Sequence, residues 1–469
     1  MTWKYFLLTL AALGAVVAAA VLGPLYRLGT FPPPSGEYLA NFERLWSALN
    51  TYYPYFELKG VDPVALRARY LPQVQAAGSD EEYCGIIADM LAEFQDAHTG
   101  VVSPPAYAGR LYFGTCRAVG KEIVAERVGR TGWAAGLERG AVILAVDGLP
   151  VEEALAALPL RLRSGSTPWQ RRAQAAFHLL STASTSLQVT FQGLNGEVRT
   201  VSLVSPEGMS TDAKCTDREV AGPLITGELL PSGLGLIRIP TFSRGMGHDL
   251  VAEFDAALEE LLDAPGLILD LRGNGGGSTA IAEKIAGRLL GKPFVYGWEY
   301  YRGRLPQRGW RLHIDYRVTP RRPIYHGPLV MLADELTMST AEQFLAALMD
   351  SGRALLIGRR TAGSSGNPVK FKLPGGGQAR FSIGDFRRVD GTPIEGVGLA
   401  PHVPITYTVE DFRTGHDPDL RAAQELLLTT AELGGCLAPT VKAPSANGWE
   451  GTEVSKGESD EEALQVQKR

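Results

Sequence analysis

The chain has 469 residues, 46 Lys and Arg against 51 Asp and Glu for a net charge of -5, and 45% hydrophobic residues. That balance is a folded protein's and excludes a basic nucleic-acid binder or a disordered chain. At about 100 to 200 residues per domain, the length allows roughly two to four domains and at least one large core.

The first signal in chain order is a charge-free run from Tyr5 to Tyr26 after Lys4. Its apolar part, Phe6 to Leu22, would span about 25 Å as a helix, close to the hydrocarbon core of a bilayer. It reads as a signal anchor or a long signal peptide. The small residues Val17-Ala18-Ala19-Ala20 could supply a cleavage site, but the run exceeds the roughly 7 to 15 residues of a cleaved signal core, which favours an anchor. With Lys4 the only early positive charge, the bulk of the chain is expected to be exported, either membrane-anchored in the cell envelope or secreted.

From Leu39 to Phe94 the pattern is helical. Ser79 and Glu82 have capping-box spacing, and Tyr83, Ile86, Ile87, Met90, Leu91 and Phe94 then share one face. From Leu111 to Val204 short β-rich runs dominate, with Asp147-Gly148 marking a tight turn. From Leu234 to Ile405 strands alternate with helices: strands at 236–239, 267–271, 329–332 and 355–357, helices at 250–262, 280–290 and 340–349. This is the pattern of an α/β core, a mixed sheet with crossover helices. The acidic stretch after Ala443, with Glu458-Ser459-Asp460-Glu461-Glu462, reads as a solvated tail. The four cysteines, Cys84, Cys116, Cys215 and Cys436, are too scattered for a zinc or redox motif; one or two disulfides remain open.

Chemistry concentrates in the α/β part. The strand ending at Asp270-Leu271 runs into Arg272-Gly273-Asn274-Gly275-Gly276-Gly277, where several amides can converge on an anion or oxyanion. A dinucleotide loop is a rival reading, weakened by Ser278 at the last glycine position and by the charges of Asp270 and Arg272. Ser339 opens a predicted helix with Glu342 three residues on, which alone is a capping box. At such a place a serine can also be a nucleophile, provided a base reaches it, and His98 is a candidate.

The ordered set Asp270-Leu-Arg-Gly-Asn-Gly-Gly-Gly, Ser339-Thr-Ala-Glu-Gln-Phe and Ile357-Gly-Arg-Arg-Thr361-Ala-Gly363 resembles the tail-specific or C-terminal processing proteases, the S41 serine peptidases that include the tricorn core protease. The entry strand Leu236 to Phe242 and the segment Glu395 to Val403 are similar to that family's, and Gly136 to Gly148 resembles the second half of a PDZ domain. The resemblance implies a signal segment at 1–28, a helical domain at 29–105, a PDZ-like domain at 106–208, a protease core at 209–412, a helical segment at 413–442 and a disordered tail at 443–469.

The processing-protease branch places a lysine base just after its Thr-x-Gly element, where this chain has Ser364; Lys370 and Lys372 follow in a strand-like stretch. The tricorn branch uses a histidine and a glutamate instead, and Asp96-Ala-His98-Thr99 and Glu395 match those elements. The resemblance therefore implies a serine endopeptidase acting on peptides or unfolded proteins. Ser339 would be the nucleophile, His98 the base and Glu395 its orienting acid, with Thr340 and either Gly276 or Gly277 giving the oxyanion amides. It implies no metal or cofactor, and roles for Asp270, Arg272 and Asp350 in bracing rather than chemistry. The insert 155–180, with Trp169 among arginines, is expected as a surface helix over the cleft or a plain connector. A catalytically silent peptide-binding protein on the same scaffold is the alternative from another class.

Overall fold

The computed structural model describes residues 34, 36–104, 109–205, 222–244, 247–302 and 311–432. The N-terminal apolar run, the acidic tail, Cys215 and Cys436 lie outside the described residues. Among the described residues no helix is long and apolar enough to cross a membrane. Cys84 and Cys116 are free and buried.

Three helices, Tyr38–Tyr52, Pro63–Ala76 and Asp80–Ala92, form the N-terminal part. Asp62 starts the second by accepting from the amides of Val64 and Ala65, with Pro63 preset for the first turn. Ser79 caps the third by accepting from Glu82 N, while the Glu82 carboxylate takes Gly78 N rather than completing the reciprocal box. Tyr83, Ile87, Met90, Leu91 and Phe94 are buried as the periodicity predicts. They do not form a self-contained core: Phe371, Leu373, Ala379 and Phe381 belong to the same cluster. The strand Gly100–Ser103 then pairs antiparallel with Gln378–Phe381, so the segment holding His98 is pinned between a helix and a core strand.

The next unit is an antiparallel sheet in the order Gly114–Val119, Glu122–Val128, Val142–Val146, Ser186–Gln192, Val198–Val204. Asp147 and Gly148, at φ +48° and +80°, make the tight turn that joins Val142–Val146 to Leu149–Pro150. This sheet has its own apolar cluster, with Phe113, Ile123, Ile143, Val189 and Phe191. The predicted surface helix is Pro168–His178, opened by Thr167.

The α/β core is a six-stranded sheet in the order Thr226–Leu229, Gly235–Arg238, Leu267–Asp270, Leu329–Ala333, Leu355–Gly358, Val403–Pro404. Its first pair is antiparallel and the rest are parallel, which makes the mixed sheet expected from the alternating pattern. Both faces are covered: Leu267 and Leu269 enter one cluster and Ile268 the other, under the terminal helix Pro418–Glu432. The carboxyl ends of Leu267–Asp270 and Leu329–Ala333, adjacent in register, deliver the glycine turn and the Ser339 helix to one edge of the sheet. A three-stranded antiparallel sheet of Phe294–Arg302, Arg311–Val318 and Gly384–Arg388, which the sequence pattern did not announce, packs beside it.

Candidate active site

Ser339 stands immediately before the helix Thr340–Asp350 with φ +61° and ψ -128°, an unfavourable backbone for a residue with a Cβ. Its amide is held by Ser364 O at 2.8 Å and Glu342 Oε2 at 3.1 Å. Glu342 therefore makes the backbone half of the predicted cap, but its role is wider. It is fully buried and also accepts from Thr361 Oγ1, Gly363 N at 2.8 Å and Ser364 N at 2.9 Å. Burial pushes its carboxyl up to about 7 against the pull of those hydrogen bonds. One side chain thus ties the serine turn to the segment after Thr361.

Ser339 Oγ lies 3.0 Å from His98 Nε2, within the reach required of a nucleophile and its base, across 241 positions of sequence. The imidazole is set by its own backbone: Asp96 Oδ1 accepts His98 N at 2.8 Å, and Asp96 Oδ2 accepts the hydroxyls of Thr99 at 2.8 Å and Ser382 at 2.7 Å. The other ring nitrogen, Nδ1, meets Ser364 Oγ at 2.9 Å. A neutral ring with its proton on Nδ1 satisfies both contacts, leaving Nε2 to accept from Ser339. Burial drives His98 down to about 4, with Asp96 acting in the opposite sense and Arg380 and Lys59 adding to the fall.

An orienting acid would hold the imidazole, but among the described residues no hydrogen bond joins the Glu395 carboxylate to the ring. Its Oε2 accepts Ser365 N at 2.7 Å and its Oε1 is paired at 2.6 Å with Lys59 Nζ. Ser364 links the two: its hydroxyl meets the ring, and the amide that Glu395 holds belongs to the next residue. Glu395 is fully buried, and burial with the nearby Asp96 raises its carboxyl to about 8 against the lowering effect of Lys59. Lys59 also donates to Gln95 O at 3.1 Å and Ser166 O at 3.3 Å, so one ammonium joins the helical part, the antiparallel unit and the core. Sequence reasoning missed Lys59 and the imidazole contact of Ser364; a lone lysine in a turn carries no signal of burial. Lys370 is exposed on the strand Val369–Lys372, away from the role of a buried base.

The glycine turn backs directly onto the serine. A Cβ on Gly276 would come within 2.7 Å of Ser339 Cβ and 2.9 Å of Thr340 N, and one on Gly277, at φ +143°, within 2.1 Å of the Phe242 carbonyl carbon. The amide of Gly276 is already used by Asn274 Oδ1 at 2.8 Å. Those of Gly277 and Thr340 donate to no protein acceptor among the described residues, while Thr340 Oγ1 fastens the two segments by donating to Gly277 O at 2.9 Å. Asp270 and Arg272 form a bidentate pair that extends to Asp417 and Asp419, and Asp350 pairs with Arg388; none of these reaches Ser339 or His98. With the turn packed on Phe242 and Ser339, nothing in the fold favours the dinucleotide reading.

Helix Pro168–His178 is more than a connector. Trp169 Nε1 donates to Thr361 O at 2.8 Å and Thr167 Oγ1 to Ala362 O at 2.8 Å, which docks it against the segment that carries Ser364.

Residues 233–405 match peptidase family S41 and residues 34–92 match the tricorn protease C1 domain. The chain carries a serine-type S41 peptidase domain. It is 25% identical over 426 residues to the putative tricorn protease homolog 2 of Streptomyces coelicolor, covering 85% of this chain and 33% of that one. It is also 25% identical over 387 residues to the chloroplastic C-terminal processing peptidase of Tetradesmus obliquus, covering 78% and 76%. The chain thus spans about a third of the length of the tricorn relative. The crystal structure of mature CPAF superposes with a TM-score of 0.67 at 19% identity, over 85% of this chain and 98% of that one, which supports the fold assignment.

Proposed function

We propose that this protein is an exported serine endopeptidase that hydrolyses peptide bonds in peptides or unfolded proteins. The observation that carries the reading is the 3.0 Å approach of Ser339 Oγ to His98 Nε2 at a strained strand-to-helix turn beside the glycine loop. Ser339 Oγ attacks the scissile carbonyl while Nε2 takes its proton, giving a tetrahedral adduct and an imidazolium. The oxyanion is met by the uncommitted amides of Thr340 and Gly277, with Gly276 shaping the hole by its lack of a Cβ. The imidazolium returns the proton to the leaving amine, and a water activated by the same nitrogen releases the acyl group.

Ser364 takes the part of the Nδ1 acceptor, and Glu395 works one residue removed, holding the Ser365 amide that fixes the serine. The negative charge that favours the imidazolium is that of Asp96. The antiparallel unit, as a PDZ-like module, would present an extended peptide to the site, and residues 5–26 would supply the membrane anchor or export signal.

The test is cleavage of a dye-labelled disordered polypeptide by residues 29–469, with Ser339→Ala, His98→Ala and Lys370→Ala in parallel. Loss of several orders of magnitude with the first two and full activity with the third is expected. A folded protein that cleaves nothing across pH, or one that survives Ser339→Ala, overturns it.

A further inference from the structure

We infer that the cleft between the antiparallel unit and the core is a binding site for a ligand with an apolar body and a single carboxylate head. The cleft encloses about 570 Å³, in the range of small-molecule sites, and neither Ser339, His98 nor the glycine turn lines it. Trp169, Val397, Ile405 and Tyr407 give it apolar walls, and four arginines face one carboxylate, Glu335, across it.

Three of those arginines are already committed. Arg117 pairs with Glu126, Arg172 with Glu152, and Arg359 with both Glu335 and Asp419. Arg360 has no acidic partner among the described residues. It gives one N–H to Val397 O at 3.0 Å, and its guanidinium sits 5.8 Å from the centre of the Trp169 ring. Its remaining donors form a rigid planar fork of the kind that a carboxylate matches with two parallel hydrogen bonds. Partial burial already works against its charge, so an anion arriving there gains more than it would at a free surface. Aromatic and aliphatic walls around one unpaired guanidinium select an amphipathic monoanion over a neutral or polyanionic molecule.

The wall also reaches the site. Trp169 donates to Thr361 O, Thr361 Oγ1 donates to Glu342, and Glu342 accepts the Ser339 amide. The proposal itself does not depend on peptidase activity, because its readout is binding.

The two sources of such a head, a small organic acid and the carboxyl end of a polypeptide, are separated by titration calorimetry on the full 469-residue chain carrying Ser339→Ala. The probes are 2-naphthoate, 2-naphthamide, and an octapeptide ending in Phe with a free or an amidated terminus. One-to-one binding of 2-naphthoate at least about tenfold tighter than 2-naphthamide is expected, with the preference lost in Arg360→Gln and partly kept in Arg360→Lys. Competition by the free but not the amidated peptide assigns the head to a chain end; no competition by either assigns it to a small acid. Val397→Trp, which fills the cleft while keeping the backbone carbonyl that Arg360 donates to, should remove binding of both naphthalenes should Arg360→Gln fail to fold. Equal affinity for acid and amide, or full affinity in Val397→Trp, overturns the inference.

Discussion

Replacing Ser364 by alanine tests the arrangement around His98 most directly, because the geometry ranks Ser364 above Glu395 as the partner of the imidazole. The Nδ1 to Oγ contact is 2.9 Å and buried, with Ser364 fully inaccessible. In the resting ring it is a neutral hydrogen bond; once Nε2 is protonated it becomes charge-assisted, worth roughly 1.5 to 3 kcal/mol. At about 1.36 kcal/mol per decade, its loss in the transition state lowers kcat/KM by roughly 10- to 150-fold. Glu395→Gln leaves that contact in place and keeps an oxygen for the Ser365 amide, but strands the Lys59 ammonium. Above about pH 8, where the Glu395 carboxyl is ionised, a broken buried pair costs roughly 3 to 5 kcal/mol of stability, so there this variant should melt earlier yet, where folded, retain activity within about tenfold. Steady-state cleavage below both melting transitions gives the comparison, and nitrogen chemical shifts of His98 report whether the Nδ1–H tautomer weakens in Ser364→Ala alone. A Ser364→Ala enzyme near parental activity beside a Glu395→Gln enzyme down by about a thousandfold or more would show that Glu395 supports the imidazolium itself, and would refute the reasoning.

Burial lowers His98 to about 4, so protonation removes the base only there: the acid limb of kcat/KM should fall through about pH 4, and a limb near the ordinary value of about 6.5 would contradict the assigned environment. Gly276→Ala should abolish cleavage while leaving a folded protein by circular dichroism, since its Cβ would meet Thr340 N and Ser339 Cβ below 3 Å. Glu342→Gln turns an amide NH₂ toward at least one backbone N–H wherever it is placed, so urea unfolding should show a loss of roughly 1 to 3 kcal/mol; a smaller loss would mean that the donors find other acceptors. Lys59→Met should destabilise strongly alone but much less in the Glu395→Gln background, and additive effects would deny the coupling.

The elements that carried periodic or turn chemistry were legible: Asp147-Gly148 takes positive φ at both residues, and the Ser79 helix buries its apolar stripe. The approach of Ser339 to His98 lay beyond spacing arguments and came only through the family resemblance. What stayed hidden has a common physical cause. Ser364 meets Nδ1 across 266 positions from an irregular segment, where no periodicity tells which way a hydroxyl points. Lys59 lies in a turn and looks solvated until Glu395, Gln95 O and Ser166 O surround it. The segment Phe294–Arg302 mixes Tyr, Trp, Glu and Gly, and its strand character comes from two partners distant in sequence. The three units also share more than linear boundaries suggest, since the helical part closes its core with strands that follow Ser364.

That sharing decides which part can move relative to the site. The helical part cannot leave without exposing Phe371 and Phe381, fully buried side chains worth roughly 1.5 to 3 kcal/mol each, so His98 stays with the core. The antiparallel unit has a separate core and meets the site through polar contacts, Thr167 to Ala362, Trp169 to Thr361 and Ser166 to Lys59. Such bonds contribute only about 0.5 to 1.5 kcal/mol apiece, but the unit also packs Val119, Val124 and Val142 against the buried Phe412 of the segment after the core, so a shift must expose that apolar contact as well. The acceptors it would release belong to Thr361 and Ala362, three and two residues before Ser364, and Thr361 shares Glu342 with the Ser339 amide. A displacement of the antiparallel unit is therefore felt first at the Nδ1 side of His98 and at the serine turn, while the anchoring of His98 by Asp96 is left intact.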